Sequence, residues 1–115
     1  MDRLRSRFAL SLMMLATMLV ILGACASDSS ATASVTIKSF KFAPDPITVN
    51  VGDSITWTND DPVGHAVTAK DDSFDTGMFF PDGTATITFD TAGTFPYICV
   101  THPEMVGTAI VESTA

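Results

Sequence analysis

The stretch Phe95–Met105, which reads FPYICVTHPEM, decides the fold of this chain. Its first half alternates bulky apolar residues with a period of two, which is the pattern of a half-buried β-strand. If Tyr97 faces the core, Cys99 faces it too, at the last position of the strand. Pro103 cannot donate to a sheet ladder, so the chain is predicted to leave the strand and return as a loop. The stretch therefore predicts a thiol that points into the apolar end of a β-sheet protein.

The same alternation continues through the rest of the chain from Val35, and Gly, Pro, Asn or Asp interrupts it every several residues. A shift of phase predicts a bulge or bend near Ser39. Seven to eight short strands at this spacing, with no helical period, predict an all-β protein, an antiparallel β-sandwich. The aromatic residues expected between its sheets are Phe40, Phe42, Trp57, Phe89, Phe95 and Tyr97.

Residues 1–24 are predicted to be a cleaved signal peptide, because three arginines precede an apolar run too short for a comfortable membrane span. The run ends in Leu22–Cys25, which reads LGAC and resembles the lipobox of bacterial-type lipoproteins. This resemblance implies that Cys25 is acylated and anchors the protein to a membrane. The alternative is an ordinary signal peptide with an incidental cysteine. Residues 25–33 then form the lipidated cysteine and a flexible tether, and residues 34–115 form one small domain.

The charge of the mature chain excludes some partners. Loss of three arginines and Asp2 leaves three lysines against twelve acidic residues, a net charge of −9. Such a surface repels nucleic acid and anionic headgroups and favours basic partners. A Cys25–Cys99 disulfide is disfavoured because the lipobox uses Cys25. An unpaired Cys99 outside the cytoplasm is open to oxidation unless something holds it, and metal coordination would do so.

The cysteine has suitable companions for a metal site. His102 and Met105 follow it in the order C-x-x-H-x-x-M, and His65 is the only other histidine. Two imidazoles, a thiolate and a weak axial thioether are the ligands of a blue-copper electron-transfer site. Glu104 in place of Met105 would instead complete a zinc set. Adjacent residues usually point apart, so only one of the two is expected at the ion, and the soft-ligand pattern favours Met105.

Two segments resemble the cupredoxins: Thr94–Thr108, with spacing similar to that of amicyanin, and Val49–Asn59. The resemblance extends over most of residues 34–112. It implies a Greek-key β-sandwich with type 1 copper at one end, held by the four residues that match the family ligands: His65, Cys99, His102 and Met105. It also implies that the His102 ring edge lies near the surface as the exit of the electron. Ala66 departs from the pattern, because many members have a hydrogen-bonding residue there that ties this strand to the cysteine loop.

The expected function is that of a mononuclear type 1 copper protein that carries single electrons as its one ion cycles between Cu(I) and Cu(II). It would act outside the cytoplasmic membrane, periplasmic or at the cell surface, as a lipid-anchored monomer with transient redox partners such as a cytochrome or a dehydrogenase. No nucleophile–base pattern or phosphate loop indicates an enzyme. An extracytoplasmic copper-binding and delivery protein is the alternative, and an adhesive or structural sandwich is a third.

Two other features of the sequence concern turns and surface. The pairs Asp60–Asp61 and Asp71–Asp72 are expected in solvated turns, without the spacing of an EF-hand calcium loop. An apolar rim around the metal is expected as a docking face for a redox partner, unless its two adjacent phenylalanines divide between core and surface. The rim consists of Val63, Met78, Phe79, Phe80 and Pro103.

Overall fold

The computed structural model describes residues 30–113, so the predictions for the signal peptide, for Cys25 and for most of the tether lie outside the described residues. The described strands are β1 Thr32–Lys38, β2 Lys41–Ala43, β3 Ile47–Asn50, β4 Ser54–Asn59, β5 Thr68–Ala69, β6 Thr84–Thr88, β7 Gly93–Cys99 and β8 His102–Glu112. The first of them begins inside the segment predicted as tether. Over this range, no helix has the length and apolar character needed to span a membrane.

The eight strands form two four-stranded sheets, ordered β2-β1-β4-β6 and β3-β8-β7-β5, which confirms the predicted β-sandwich. The sheets are mixed rather than purely antiparallel, because β1 pairs with β4 and β3 pairs with β8 in parallel. The reason lies in the order of the strands. Since β3 belongs to the second sheet, the chain crosses over and returns as β4 beside β1, running in the same direction.

The core forms where inward positions of the two sheets meet. Val35, Ile37, Ile55 and Trp57 are fully buried, two each from β1 and β4, as the period-two pattern predicts. Aromatic rings fill the centre, with Trp57 and Tyr97 edge to face at a centroid distance of 5.6 Å. Most of the predicted core aromatics are confirmed as buried or partly buried.

Phe40 is the exception, since 46% of it is exposed and its prediction as a core residue is wrong. The predicted bend near Ser39 explains this. Ser39 and Phe40 both have left-handed backbone angles, with φ of 54° and 59°. Two such residues in succession turn the chain sharply from β1 into β2. The Phe40 side chain therefore leaves the core and lies at the end of the sandwich.

The β7–β8 connection also differs from the prediction. The last strand begins at His102, so Pro103 lies within a strand instead of the predicted loop. The pairing nevertheless shifts here, because Cys99 pairs with His102 while Ile98 pairs with Val106. Residues 103–105 thus have no partners in β7, which is where a proline costs the ladder no hydrogen bond. The chain turns back tightly and keeps His102 beside Cys99.

Candidate metal centre

Three of the four predicted ligands meet at one end of the sandwich, the site end. The donor atoms of His65, Cys99 and His102 all lie within 4.8 Å of one another. The Cys99 Sγ is 3.7 Å from Nδ1 of His65 and 3.6 Å from Nδ1 of His102. Cys99 ends β7 and His102 begins β8, whereas His65 precedes β5 in the sequence. The site therefore joins a tight turn to a distant segment of the chain.

Backbone contacts fix the segment that carries His65. The amide of His65 donates to the carbonyl of Phe79 at 3.1 Å, and the amide of Phe79 donates back to the carbonyl of His65 at 2.9 Å. His65 and Cys99 are fully buried, while His102 is half-buried. The Phe40 ring packs edge-on against both imidazoles, with centroid distances of 5.3 and 5.0 Å. Only the His102 side of the cluster thus approaches solvent.

The Cys99 sulfur has two contacts in addition to the histidines. The amide of Ala66 donates to it at 3.4 Å, and the Thr101 hydroxyl lies 3.3 Å away. Burial on its own raises the pKa of the Cys99 thiol, but contacts with Thr101, with the Ala66 amide and with both histidines outweigh it and lower the pKa to about 6. The thiolate, which is the metal-binding form, is therefore favoured at neutral pH. The backbone of Ala66 makes a contact with the cysteine that its methyl group cannot make.

Asp61 is a buried neighbour of the donor cluster that the sequence did not reveal, and its prediction as part of a solvated turn is wrong. Only 6% of it is exposed. Its Oδ2 lies 2.9 Å from Nε2 of His65, and its two oxygens accept hydrogen bonds from the amides of Ser39 and Phe40. Burial on its own raises the pKa of Asp61, but the Phe40 amide, His65 and the Ser39 amide lower it overall. Its position four residues before the candidate ligand His65 was the available signal, because metal-binding histidines usually donate their second N–H to a carboxylate or carbonyl.

Met105 and Glu104, the rival fourth ligands, lie differently in β8. Met105 is 2% exposed, whereas Glu104 is exposed. Both border a shallow cavity of about 240 Å³ whose other walls include Phe40 and Phe42. Among the described residues, Glu104 does not contribute to the cluster of three donors. The outward position of Glu104 weakens the zinc alternative, and coordination by Met105 stays a prediction.

The donor chemistry fits copper. A buried thiolate is a soft ligand for Cu(I), and imidazole nitrogen suits both oxidation states of the ion. Because the three donors already converge, few side chains would have to move to enclose an ion. A thioether from Met105 would complete the set.

Comparison with known proteins agrees with this fold. The family model of the cupredoxin-like domain matches residues 11–111. The chain belongs to the cupredoxin family. It is 34% identical over 93 residues to amicyanin from Paracoccus versutus, covering 76% of this chain and 70% of the relative.

Solved structures agree with this family assignment. The Cu(I) form of an amicyanin variant superposes with a TM-score of 0.67 at 30% identity, covering 76% of this chain and 88% of the other. The purple cupredoxin from Nitrosopumilus maritimus gives a TM-score of 0.67 at 26% identity, covering 70% of this chain and 99% of the other. The predicted family and fold are thus confirmed.

The predicted apolar rim is partly present. Phe79 is buried in the core, while its neighbour Phe80 is 65% exposed, so the two phenylalanines divide as the alternative expected. Val63 and Met78 are also exposed, at 39% and 46%. A Cβ built on Gly64 would lie 2.9 Å from the Met78 side chain and 3.1 Å from the Phe80 ring. The exposed rim residues Met78 and Phe80 therefore pack over Gly64, directly before the ligand candidate His65.

Proposed function

We propose that this cupredoxin is a mononuclear type 1 copper protein that carries single electrons between redox partners and is not itself an enzyme. The convergence of His65, Cys99 and His102 within 4.8 Å supports this most directly. Met105 is the proposed fourth, axial ligand. Bound copper would supply reversible one-electron chemistry through Cu(I) and Cu(II). The Cu(I) structure of the amicyanin variant supports this choice of metal.

The surroundings of the donors suit electron transfer better than delivery of the metal. Two donors are fully buried, and hydrogen bonds to Ala66 and Asp61 hold them in place. Such a fixed site favours small rearrangement between oxidation states and slow release of the ion. A copper-delivery protein would instead need donors that a partner can reach and displace. Delivery of copper is therefore the alternative that the experiment must exclude.

The proposed route of the electron is through the half-buried ring of His102. The exposed rim residues Val63, Met78 and Phe80 offer an apolar contact face on the segments around His65. A small face of this kind suits a transient complex. The mature net charge of −9 favours a basic partner, such as a cytochrome or a dehydrogenase, and speeds encounter at low ionic strength.

We also propose that the protein acts outside the cytoplasmic membrane as a monomer anchored by lipid on Cys25. The apolar run and the LGAC tetrapeptide of residues 22–25 support export and acylation. Mass spectrometry of the protein extracted from membranes tests this point separately. A soluble product with unmodified Cys25 would contradict the anchor and leave the copper site unaffected.

Titration of the purified, metal-free protein with Cu(II) tests the copper proposal. One equivalent is expected to give an intense blue colour from sulfur-to-copper charge transfer and a reversible one-electron wave in voltammetry. Cys99→Ser is the matched control, since it replaces only the sulfur, and it is expected to lose both signals. A colourless complex that gives its copper to a weak chelator would contradict electron transfer and favour delivery.

A further inference from the structure

The Thr101 hydroxyl contacts two of the three donor residues at once. Its Oγ1 lies 3.3 Å from the Cys99 Sγ and 3.1 Å from Nδ1 of His102. The turn between β7 and β8 places it there, because the pairing of Cys99 with His102 leaves only Val100 and Thr101 to reverse the chain. Val100 is 55% exposed and has an aliphatic side chain, so the only hydroxyl in this turn is the one beside the sulfur.

A hydroxyl has one proton to donate, and metal binding would determine which neighbouring atom accepts that hydrogen bond. Without metal, the Nδ1 of His102 and the Cys99 sulfur are both possible acceptors for it. This step rests on the proposed function: once an ion occupies the lone pair of Nδ1, that nitrogen accepts no hydrogen bond. Of the two contacts, the sulfur is then the only acceptor that remains for the Thr101 hydroxyl.

We propose that Thr101 is a positioning residue that donates a second hydrogen bond to the Cys99 sulfur, beside that of the Ala66 amide, and thereby raises the reduction potential of the site. Hydrogen bonds around the cysteine sulfur tune the potential of a blue-copper centre. A hydrogen bond to a thiolate withdraws electron density from it and weakens its donation to the metal. Weaker donation disfavours Cu(II) more than Cu(I), and the potential rises.

The turn between β7 and β8 thereby helps to hold the sulfur. At the position after His65, Ala66 offers the cysteine only its backbone amide. The hydroxyl of Thr101 supplies another contact from the side of the turn. The sulfur is therefore held from two directions: one donor comes from the segment of His65 and the other from the turn itself.

Thr101→Val tests the proposal, because valine keeps the shape of threonine and removes the hydroxyl. The copper-loaded variant is expected to stay blue, with a lower midpoint potential and a higher Cu–S stretching frequency in resonance Raman spectra. Thr101→Ser keeps the hydroxyl and is expected to resemble the parent. Val100→Thr adds a hydroxyl at the exposed neighbouring position and is expected to change neither value.

Three outcomes would overturn the proposal. An unchanged potential and Cu–S frequency in Thr101→Val would show that the hydroxyl does not act on the sulfur. Loss of the blue colour in Thr101→Val alone would instead indicate that the hydroxyl is needed to bind the metal. A parent protein that forms no blue complex would contradict the proposed function and this inference together, whereas a blue parent with an unchanged variant would contradict this inference alone.

Discussion

The carboxylate of Asp61 lies 2.9 Å from Nε2 of His65, and both side chains are buried. A histidine that donates its Nε2–H to a carboxylate keeps the lone pair of Nδ1 free, and Nδ1 is the nitrogen that faces the Cys99 sulfur. The same carboxylate accepts hydrogen bonds from two amides of the β1–β2 turn, which carries Phe40. Asp61 therefore fixes both the ring that offers a donor and the ring that covers it.

Asp61→Asn is expected to raise the reduction potential of the copper-loaded protein, because it removes a negative charge next to the proposed ligand His65 and disfavours Cu(II). It also leaves too few acceptor oxygens for three donors, so the free energy of unfolding should fall by about 1–3 kcal/mol. Voltammetry and urea unfolding measure the two effects. The exposed neighbour Asp60, changed to Asn, is the matched control and should shift both values less. Equal shifts in the two variants would contradict a specific role for Asp61.

Met105→Leu is expected to keep the blue colour and raise the potential, because the weak axial donor to Cu(II) is lost while the thiolate remains. The substitution nearly conserves volume, so the unfolding free energy should change by less than about 1.5 kcal/mol. Absorption spectroscopy and voltammetry measure the result. Met78→Leu, at a methionine that is 46% exposed, is the control. If Met105→Leu has the potential of the parent, the axial assignment is wrong.

Phe80→Ala is expected to slow electron exchange with a basic c-type cytochrome by roughly tenfold, since the exposed aromatic side chain of the proposed docking face is truncated. Exchange with a small inorganic oxidant, which needs no docking face, should keep its rate, and the colour and potential should stay those of the parent. Stopped-flow kinetics with both oxidants separates the effects. Equal slowing with both oxidants would show that Phe80 acts on the site rather than on docking.

Asp53 lies at the end of the sandwich opposite the site end. It is expected to make the free energy of unfolding depend on pH. Its oxygens accept hydrogen bonds from the amides of Ala31 and Asn50 at 2.9 and 3.0 Å. These hydrogen bonds lower the pKa of Asp53 below the ordinary 3.8. A lowered pKa adds stability that is fully present above the unfolded pKa and is lost as the pH falls through the folded one. The parent should therefore exceed Asp53→Asn in stability at neutral pH, and the gap should close in acid.

Chemical unfolding of the parent and of Asp53→Asn between neutral pH and about pH 2.5 measures this gap. Asp90→Asn, at an exposed carboxylate of the same end, is the matched control. A difference between the parent and Asp53→Asn that stays constant across the range would contradict the contribution of the charged carboxylate.

The sequence predicted the parts of this molecule that depend on periodicity and on donor chemistry. Alternation along β4 and β7 identified Trp57, Tyr97 and Cys99 as inward residues, because a strand has only two faces. The order C-x-x-H-x-x-M identified Cys99 and His102 as neighbours, since few other arrangements place soft donors so close. The second histidine needed no further signal, because the chain has only one other.

The features that the sequence did not reveal depend on contacts between distant segments. The carboxylate of Asp61 is held by hydrogen bonds from the amides of Ser39 and Phe40. These residues lie more than twenty positions away, and no local pattern indicates the contacts. Phe40 follows the alternation of a core residue, but two left-handed residues in the turn carry it outward. The parallel pairing of β1 with β4 depends on which sheet β3 joins, and periodicity does not specify this.

The direction of β1 has a consequence for how the domain is presented. Its first residue, Thr32, pairs with Ser54 beside the Asp53 turn, and its last residue leads into the turn that brings Phe40 over the imidazoles. Seven extended residues span roughly 20 Å, so the chain enters the domain at the end of the sandwich opposite the histidines. An attachment made through the segment before β1 would hold the domain at that end. The proposed metal site would then point away from the surface and stay accessible to a redox partner.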